Sequence, residues 1–307
     1  MPDEELDIRQ PFTLGDGLRA GLTDSQLRSR GFVRLFRGCF VSAAASLTPD
    51  LLARAALRAA PVASFAARHT AARILGGTVP HDAETHVGTV GTGRSRKPGI
   101  LVHRYTDRPE LVRRKGVRLT SPVRTFLDLA EVLSLVDLVV LGDSLVKRRQ
   151  VEPGQLVPAA SEWRGRGARR ARQAAALVRP GVDSPQETRT RLLLVFAGLP
   201  EPEVNIEIRD EYGAVQRRID LGYRRAKLGI EYDGRQHIER QRAWGADILR
   251  REDLGNVGWR FVVLVSDDLF TSPGETLTRV VRAMRSVGMT VPVLRDDWRR
   301  HFPGRPG

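Results

Sequence analysis

The stretch IDLGYRRAKLGIEYDG, residues 219–234, restricts the fold more than any other part of this chain. Two strand-type runs flank RRAK, and the pattern is nearly symmetric about Arg225 and Ala226. An antiparallel hairpin with that centre sets Asp220 directly across from Glu231. Opposed residues in such a pair hold their side chains about 4.5–5.5 Å apart. Strand alternation brings Asp233 to the face of Glu231, so Asp220, Glu231 and Asp233 share one face. Ile219, Leu221, Ile230 and Tyr232 then pack on the other.

Three carboxylates so placed repel one another, and one of them would otherwise take up a proton. A hard divalent cation resolves the repulsion. Mg²⁺ (or Mn²⁺) takes oxygen ligands, accepts one or two carboxylates and keeps waters in its remaining positions. Beside a phosphate, such an ion polarises the phosphoryl oxygen and activates a water. The competing arrangement is structural: Asp220 and Glu231 flank a turn at the end of a sheet and pair with Arg224, Arg225 or Lys227.

The surrounding sequence predicts a mixed α/β domain on a central sheet, in the order αβββαβα. Ser184-Pro185-Gln186-Glu187 reads as a full capping box opening a helix that runs to about residue 198. Strands follow at 204–208, 215–223 and 228–233, a helix at 242–254, a strand at 259–265 and an amphipathic helix at 273–285.

Upstream, residues 14–20 and 23–29 read as two helices around a turn at Gly21, with Thr23 as N-cap and Leu27 turned inward. FVRLFRGCFV alternates about the Arg37-Gly38 turn signal, which predicts a hairpin. Helix, turn, helix and hairpin is the layout of a winged helix, whose second helix enters the major groove of DNA. Residues 51–156 read as helices at 51–60 and 64–75, strands at 85–90 and 99–104, a helix opened by Ser121-Pro122 and another at 136–147. This middle region offers no catalytic constellation. The basic run WRGRGARRARQ is either a solvated linker or helix face, or a phosphate-contacting arm through residues such as Arg169 and Arg170. The predicted division is therefore 1–48, a winged helix; 49–160, a mixed helical middle domain; 161–182, a basic linker; 183–290, the αβββαβ domain; and 291–307, a tail.

Charge agrees with a polyanionic partner. The chain carries 50 Lys and Arg against 36 Asp and Glu, a formal charge of +14 in 307 residues. Such an excess gains affinity from counterions released by phosphates. A lone Cys39 excludes an intrachain disulfide. The acidic start MPDEELDI lacks the layout of a signal peptide, and no apolar run approaches the roughly 18 residues of a membrane span. The expected setting is the cytoplasm, with no membrane partner.

Two resemblances refine this reading. Asp220 followed by Glu231 in a neighbouring strand resembles the PD-(D/E)xK nucleases. IEYDGRQH, then Asp247, Arg250 and Leu254 in D-x-x-R-x-x-x-L, then GWRFVVL, resembles the very-short-patch-repair-endonuclease-like domains over about 184–285. That resemblance implies a restriction-endonuclease-like fold, Asp220 and Glu231 as metal ligands, and Glu187 as the acid from the first helix. It places Asp233, Gln236 and His237 near the site. The capping box alone also accounts for Glu187, and Asp247 with Arg250 also reads as a helix-surface ion pair. The sequence departs from the superfamily at the lysine that usually stands two residues after the Glu, where this chain has Asp233. That lysine orients water and stabilises charge in the transition state.

GLTDSQLRSRGFVRLFRGCFV, HTAARILGG and LTSPVRTFLDLA resemble the AbiEi-type antitoxins over about 12–147. This implies DNA contacts from Ser25, Gln26, Arg28, Arg30, Arg34 and Arg37. Together the two resemblances imply a duplex-DNA-binding, Mg²⁺- or Mn²⁺-dependent endonuclease that hydrolyses phosphodiesters by metal-activated water. The alternative is a non-catalytic DNA-binding regulator, antitoxin-like, with a degenerate nuclease fold. Many winged helices and nucleases act as dimers, so a homodimer stays open.

Overall fold

The computed structural model describes residues 6–91, 95–234 and 258–304. The chain divides into two compact units, one of residues 1–133 and 148–176, the other of residues 134–147 and 177–307.

The first unit opens with β1 (Phe12–Thr13), α1 (Leu14–Arg19), α2 (Asp24–Leu27), β2 (Phe32–Phe36) and β3 (Cys39–Ser42), whose strands form a sheet in the order β1-β3-β2. Thr13 and Asp16 cap α1 reciprocally, and Thr23 and Gln26 do the same for α2. Phe12, Leu27 and Phe40 close a small core, with Phe32 edge-on to Phe12 at 5.8 Å. The helix expected over 23–29 is a single turn. Ser29 Oγ donates to Gln26 O at 2.7 Å and competes with the helical bonds there.

The same unit continues with α3 (Pro49–Ala59), β4 (Phe65–Ala66), α4 (Arg68–Ile74), β5 (Thr85–Thr89), β6 (Ile100–Arg104), β7 (Leu111–Arg114), β8 (Val117–Thr120) and α5 (Pro122–Leu129). Its five-stranded sheet runs β6-β5-β4-β8-β7, with β5 parallel to β6 and β4 parallel to β8. Two expectations need correcting. The helix expected over 64–75 begins as a strand, because Phe65 and Ala66 are drawn into the sheet between β5 and β8. Residues 111–120 form a hairpin the sequence reading lacked, turning at Lys115 (φ +46) and Gly116 (φ +75).

After α6 (Leu135–Lys147), which belongs to the second unit, α7 (Pro153–Glu162) and α8 (Ala168–Leu177) complete the first. The middle of the expected basic linker over 161–182 is this helix. Ala171, Ala174 and Ala175 are buried, and Arg170 donates to the carbonyls of Ala130 (2.8 Å) and Glu131 (3.2 Å). Gly167, at φ +77, lets the chain approach closely: a Cβ there would lie 2.3 Å from Ala130 O.

The second unit holds α6, α9 (Pro185–Phe196), β9 (Glu203–Arg209), β10 (Val215–Tyr223), β11 (Leu228–Tyr232), β12 (Arg260–Leu264), α10 (Ser266–Phe270) and α11 (Pro273–Ser286). The sheet order is β12-β11-β10-β9; β9, β10 and β11 are antiparallel in turn, and β12 joins parallel to β11. This is the mixed α+β architecture expected, with all four strands near their predicted places. The helix expected over 242–254 lies outside the described residues.

Helix α6 packs with α9. Arg191, fully buried in α9, meets Asp143 of α6 at 3.0 Å, Glu201 at 2.9 Å and the carbonyl of Leu177 at 2.9 Å. A buried arginine needs such partners, so α6 is bound to the second unit rather than the middle region. The expected tail also packs: Trp298 and Phe302 are buried, and Arg295 N–H donates to Ala197 O at 2.9 Å. Among the described residues no helix is long and apolar enough to cross a membrane.

Candidate active site

The β10–β11 hairpin has the register read from the sequence, pairing Leu221 with Ile230, Gly222 with Gly229 and Tyr223 with Leu228. The paired ladder ends at Leu221 and Ile230, one step short of Asp220 and Glu231. There the Asp220 carboxylate enters the ladder itself: its Oδ2 accepts the Tyr232 N–H at 3.2 Å. Ile219, Leu221 and Ile230 are buried, so the hairpin is anchored in the core and Asp220 and Glu231 are held half-buried at its end.

Glu187 comes to the same neighbourhood from the first turn of α9. Ser184 Oγ accepts the Glu187 N–H at 3.1 Å, the first half of the expected capping box. The second half differs: Glu187 Oε2 accepts the N–H of Asp183 at 2.8 Å, one residue before the cap. Burial raises the Glu187 carboxyl above its ordinary range; the Asp183 N–H and Ser184 hydroxyl oppose this, and the charges of Asp220 and Asp183 add to it. Burial likewise raises Asp220, against the Tyr232 N–H and the charge of Arg217, and Asp183 adds to the rise. Glu187, Asp220 and Asp183 thus feel one another's charge.

Asp183 carries no signal of its own in the sequence. Burial would raise its carboxyl, but Lys147 Nζ (2.9 Å) and Asn205 Nδ2 (2.9 Å) hold its two oxygens and keep it below the usual carboxylate range. Asn205 reaches it from a left-handed position on β9, φ +50.

A cation outside the three that the sequence suggested, Arg224, Arg225 and Lys227, lies against Glu231. The cation against it is Arg217, on β10, whose Nη2 donates to Glu231 Oε1 at 2.5 Å. The Arg217 guanidinium also lies over the Phe261 ring, 5.0 Å from its centroid. The only sequence signal for it is an arginine three residues before Asp220. Among the described residues, no three of these carboxylates bring oxygens mutually within 4.8 Å; the group that does is His69, Asp82 and His86, in the first unit. Asp233 follows β11 and its N–H donates to Leu264 O at 2.8 Å. Gln236, His237, Asp247, Arg250 and Leu254 lie outside the described residues.

The residues expected at DNA, Ser25, Gln26, Arg28, Arg30, Arg34 and Arg37, are all exposed. Gln26 Oε1 is occupied by the Thr23 N–H at 2.7 Å, and Arg28 pairs with Asp24 at 2.6 Å. Arg169 is exposed on α8, whereas Arg170 is turned onto backbone carbonyls.

Residues 195–284 match the model of the restriction-endonuclease-like family REase_MTES_1575. The C-terminal region is therefore restriction-endonuclease-like in fold. Two relatives from Mycobacterium tuberculosis, "Uncharacterized protein MT2308" of strain CDC 1551 / Oshkosh and "Uncharacterized protein Rv2248" of strain ATCC 25618 / H37Rv, are each 26% identical over 262 residues. Each alignment covers 84% of this chain and 94% of the relative. The crystal structure of the RV2827C protein from Mycobacterium tuberculosis is similar over 59% of this chain and 75% of that one, at a TM-score of 0.39 and 17% identity.

Proposed function

We propose that this chain is a DNA-binding, divalent-metal-dependent endonuclease. The carrying observation is the group of acids formed by Glu187 and Asp220, both raised by burial and by neighbouring carboxylates, beside Glu231 in a restriction-endonuclease-like domain. Acids destabilised in this way are relieved by a cation, and the donors are all oxygen, which suits Mg²⁺ or Mn²⁺. Asp220, Glu231 and Glu187 would hold the ion. When bound, it would supply charge neutralisation at the phosphate and an acidified water for hydrolysis.

The chain's own groups do the rest. Glu187 is fixed by the Asp183 N–H and Asp220 by the Tyr232 N–H, so the two acids are positioned before any ligand arrives. Arg217 stands close enough to both Asp220 and Glu231 to supply the positive charge that the missing lysine would otherwise bring. Asp233, Gln236 or His237 orients water or substrate. Exposed Ser25, Arg30, Arg34 and Arg37 of a winged-helix-like N-terminus, with Arg169, contact the backbone of duplex DNA, and Gln26 and Arg28 join them on leaving their present partners.

A second reading has its own support: Glu231 is paired with Arg217, and among the described residues no three of the acids come together. In that reading the domain is a degenerate nuclease fold in a DNA-binding regulator. Calorimetric titration of Mg²⁺ and Mn²⁺, with and without duplex DNA, separates the two. The nuclease reading expects binding that disappears in Glu231→Gln. An identical, negligible heat from both proteins, with duplex present, would overturn it.

A further inference from the structure

The first unit holds a second group of ligand-type side chains, unconnected with the carboxylates above. His69 lies on α4, Asp82 in the loop after it, and His86 on β5. His69 is 7% exposed and His86 4%. His86 Nε2 lies 3.1 Å from Asp82 Oδ2, and His69 Nδ1 lies 3.6 Å from the same oxygen. Yet both ring nitrogens are buried, and neither makes a well-aligned hydrogen bond to that oxygen. Two buried nitrogens left so in a protein interior require an explanation.

We propose that His69 Nδ1, Asp82 Oδ2 and His86 Nε2 bind a borderline transition-metal ion of the Zn²⁺ class, with a water in the fourth position. Tetrahedral ligands about 2.0–2.1 Å from zinc stand roughly 3.3–3.4 Å from one another. The two separations here, 3.1 and 3.6 Å, straddle that value, and all three ligand atoms lie within 4.8 Å of one another. An ion among them would satisfy both buried nitrogens at once.

The supporting contacts aim each ligand. Glu84 N–H donates to Asp82 Oδ1 at 2.9 Å, which turns Oδ2 toward the two imidazoles. Arg73 of α4 donates to the carbonyls of Asp82 (3.0 Å) and Pro80 (3.3 Å), fixing the loop against the helix that bears His69. Thr70 Oγ1 accepts the His86 N–H at 2.8 Å. His86 Nδ1 lies 2.9 Å from His103 Nε2 on the adjacent parallel strand, with the rings stacked at 14°. If His86 Nδ1 donates there, its Nε2 is the lone-pair nitrogen facing Asp82, which is how outer partners fix the tautomer of a metal-bound histidine. Arg68, the nearby cation, is paired with Glu131. Asp82 is the least buried of the three, and its side opens to solvent for the water. Nitrogen ligands separate this site from one built for Mg²⁺.

The test is a titration of the metal-free full-length protein with Co²⁺, read by the ligand-field absorption of a four-coordinate ion and by displacement with Zn²⁺. One equivalent should give that absorption, Zn²⁺ should displace it and Mg²⁺ should not. His69→Gln and Asp82→Ala should abolish the signal. Asp82→Asn should abolish it as well while keeping the oxygen that accepts the Glu84 N–H, and so guards against loss through misfolding. His103→Ala should weaken binding about 10–100-fold. Asp220→Ala should leave binding unchanged, which separates this site from the proposed nuclease site. Absence of tetrahedral Co²⁺ absorption in the wild type, or its survival in folded Asp82→Asn, overturns the proposal.

Discussion

Arg217 donates to Glu231 at 2.5 Å from three residues before Asp220 on the neighbouring strand, so a cation from the chain already sits against one of the candidate ligands. A divalent ion has to share Glu231 with that guanidinium. Arg217→Ala should leave divalent-ion binding intact or tighter, since a competing charge is gone. The same change should lower cleavage by about 10²-fold, the scale of one lost transition-state donor. Arg217→Lys should recover part of the rate. Metal titration beside single-turnover cleavage reads this split; parallel losses in both would show that Arg217 serves only to hold the fold.

The Asp143–Arg191 pair at 3.0 Å should be a large contributor to the second unit. Removing one partner of a buried pair leaves an uncompensated charge and costs about 3–5 kcal/mol. Asp143→Ala and Arg191→Leu should each destabilise on that scale in urea melts, and the double substitution should cost far less than the sum. Additive losses would mean that the two groups are not coupled.

Gly167 should not tolerate a side chain. Gly167→Ala adds a Cβ 2.3 Å from Ala130 O at φ +77. The strain and clash should destabilise the first unit by more than about 1 kcal/mol. Gly213→Ala, at φ +80 with nothing within 4 Å, isolates the strain alone and should cost less. Equal costs would mean that the chain relaxes around the added methyl.

Acid should weaken the N-terminal segment through Asp16. Hydrogen bonds from the Thr13 backbone and side chain, with Arg19 and Arg58, hold its carboxyl below the ordinary 3.8 despite burial. A depressed native value makes this stabilisation complete above about pH 3.8 and lost as pH falls below it through the native value. Asp16→Asn should therefore flatten the acid limb of stability against pH. An unchanged acid limb would rule out Asp16 as a source of it.

Duplex binding should depend steeply on salt and on the exposed hairpin arginines. Arg34→Ala and Arg37→Ala should each weaken binding across unrelated sequences and reduce the salt slope by about 0.9 for each phosphate no longer neutralised. Fluorescence anisotropy at several salt concentrations checks this; unchanged slopes would move the DNA surface elsewhere.

The sequence makes some features legible and hides others for physical reasons. The β10–β11 register is readable because the hairpin is symmetric about Arg225 and Ala226, and buried Ile219, Leu221 and Ile230 hold it in place. The last strand of the second unit stands out by its apolar run over 259–265. Phe65 and Ala66 do not, since a two-residue strand flanked by sheet neighbours has no pattern of its own. The hairpin over 111–120 is hidden because arginines occupy its solvent-facing positions on both sides of Lys115-Gly116. Glu187 is found through its cap, yet its carboxylate accepts the N–H of Asp183, one residue before the cap, and not that of Ser184. His69, Asp82, His86 and His103 have no motif spacing; α4, a loop and two parallel strands assemble them.

The most direct test of the nuclease reading is cleavage of supercoiled and linear duplex DNA by the full chain in Mg²⁺ or Mn²⁺, beside Asp220→Ala. The account predicts metal-dependent strand breakage by the wild type that chelation stops and Asp220→Ala abolishes. Cleavage that survives in Asp220→Ala, or tight salt-sensitive binding with no cleavage of any duplex in either ion, would contradict it.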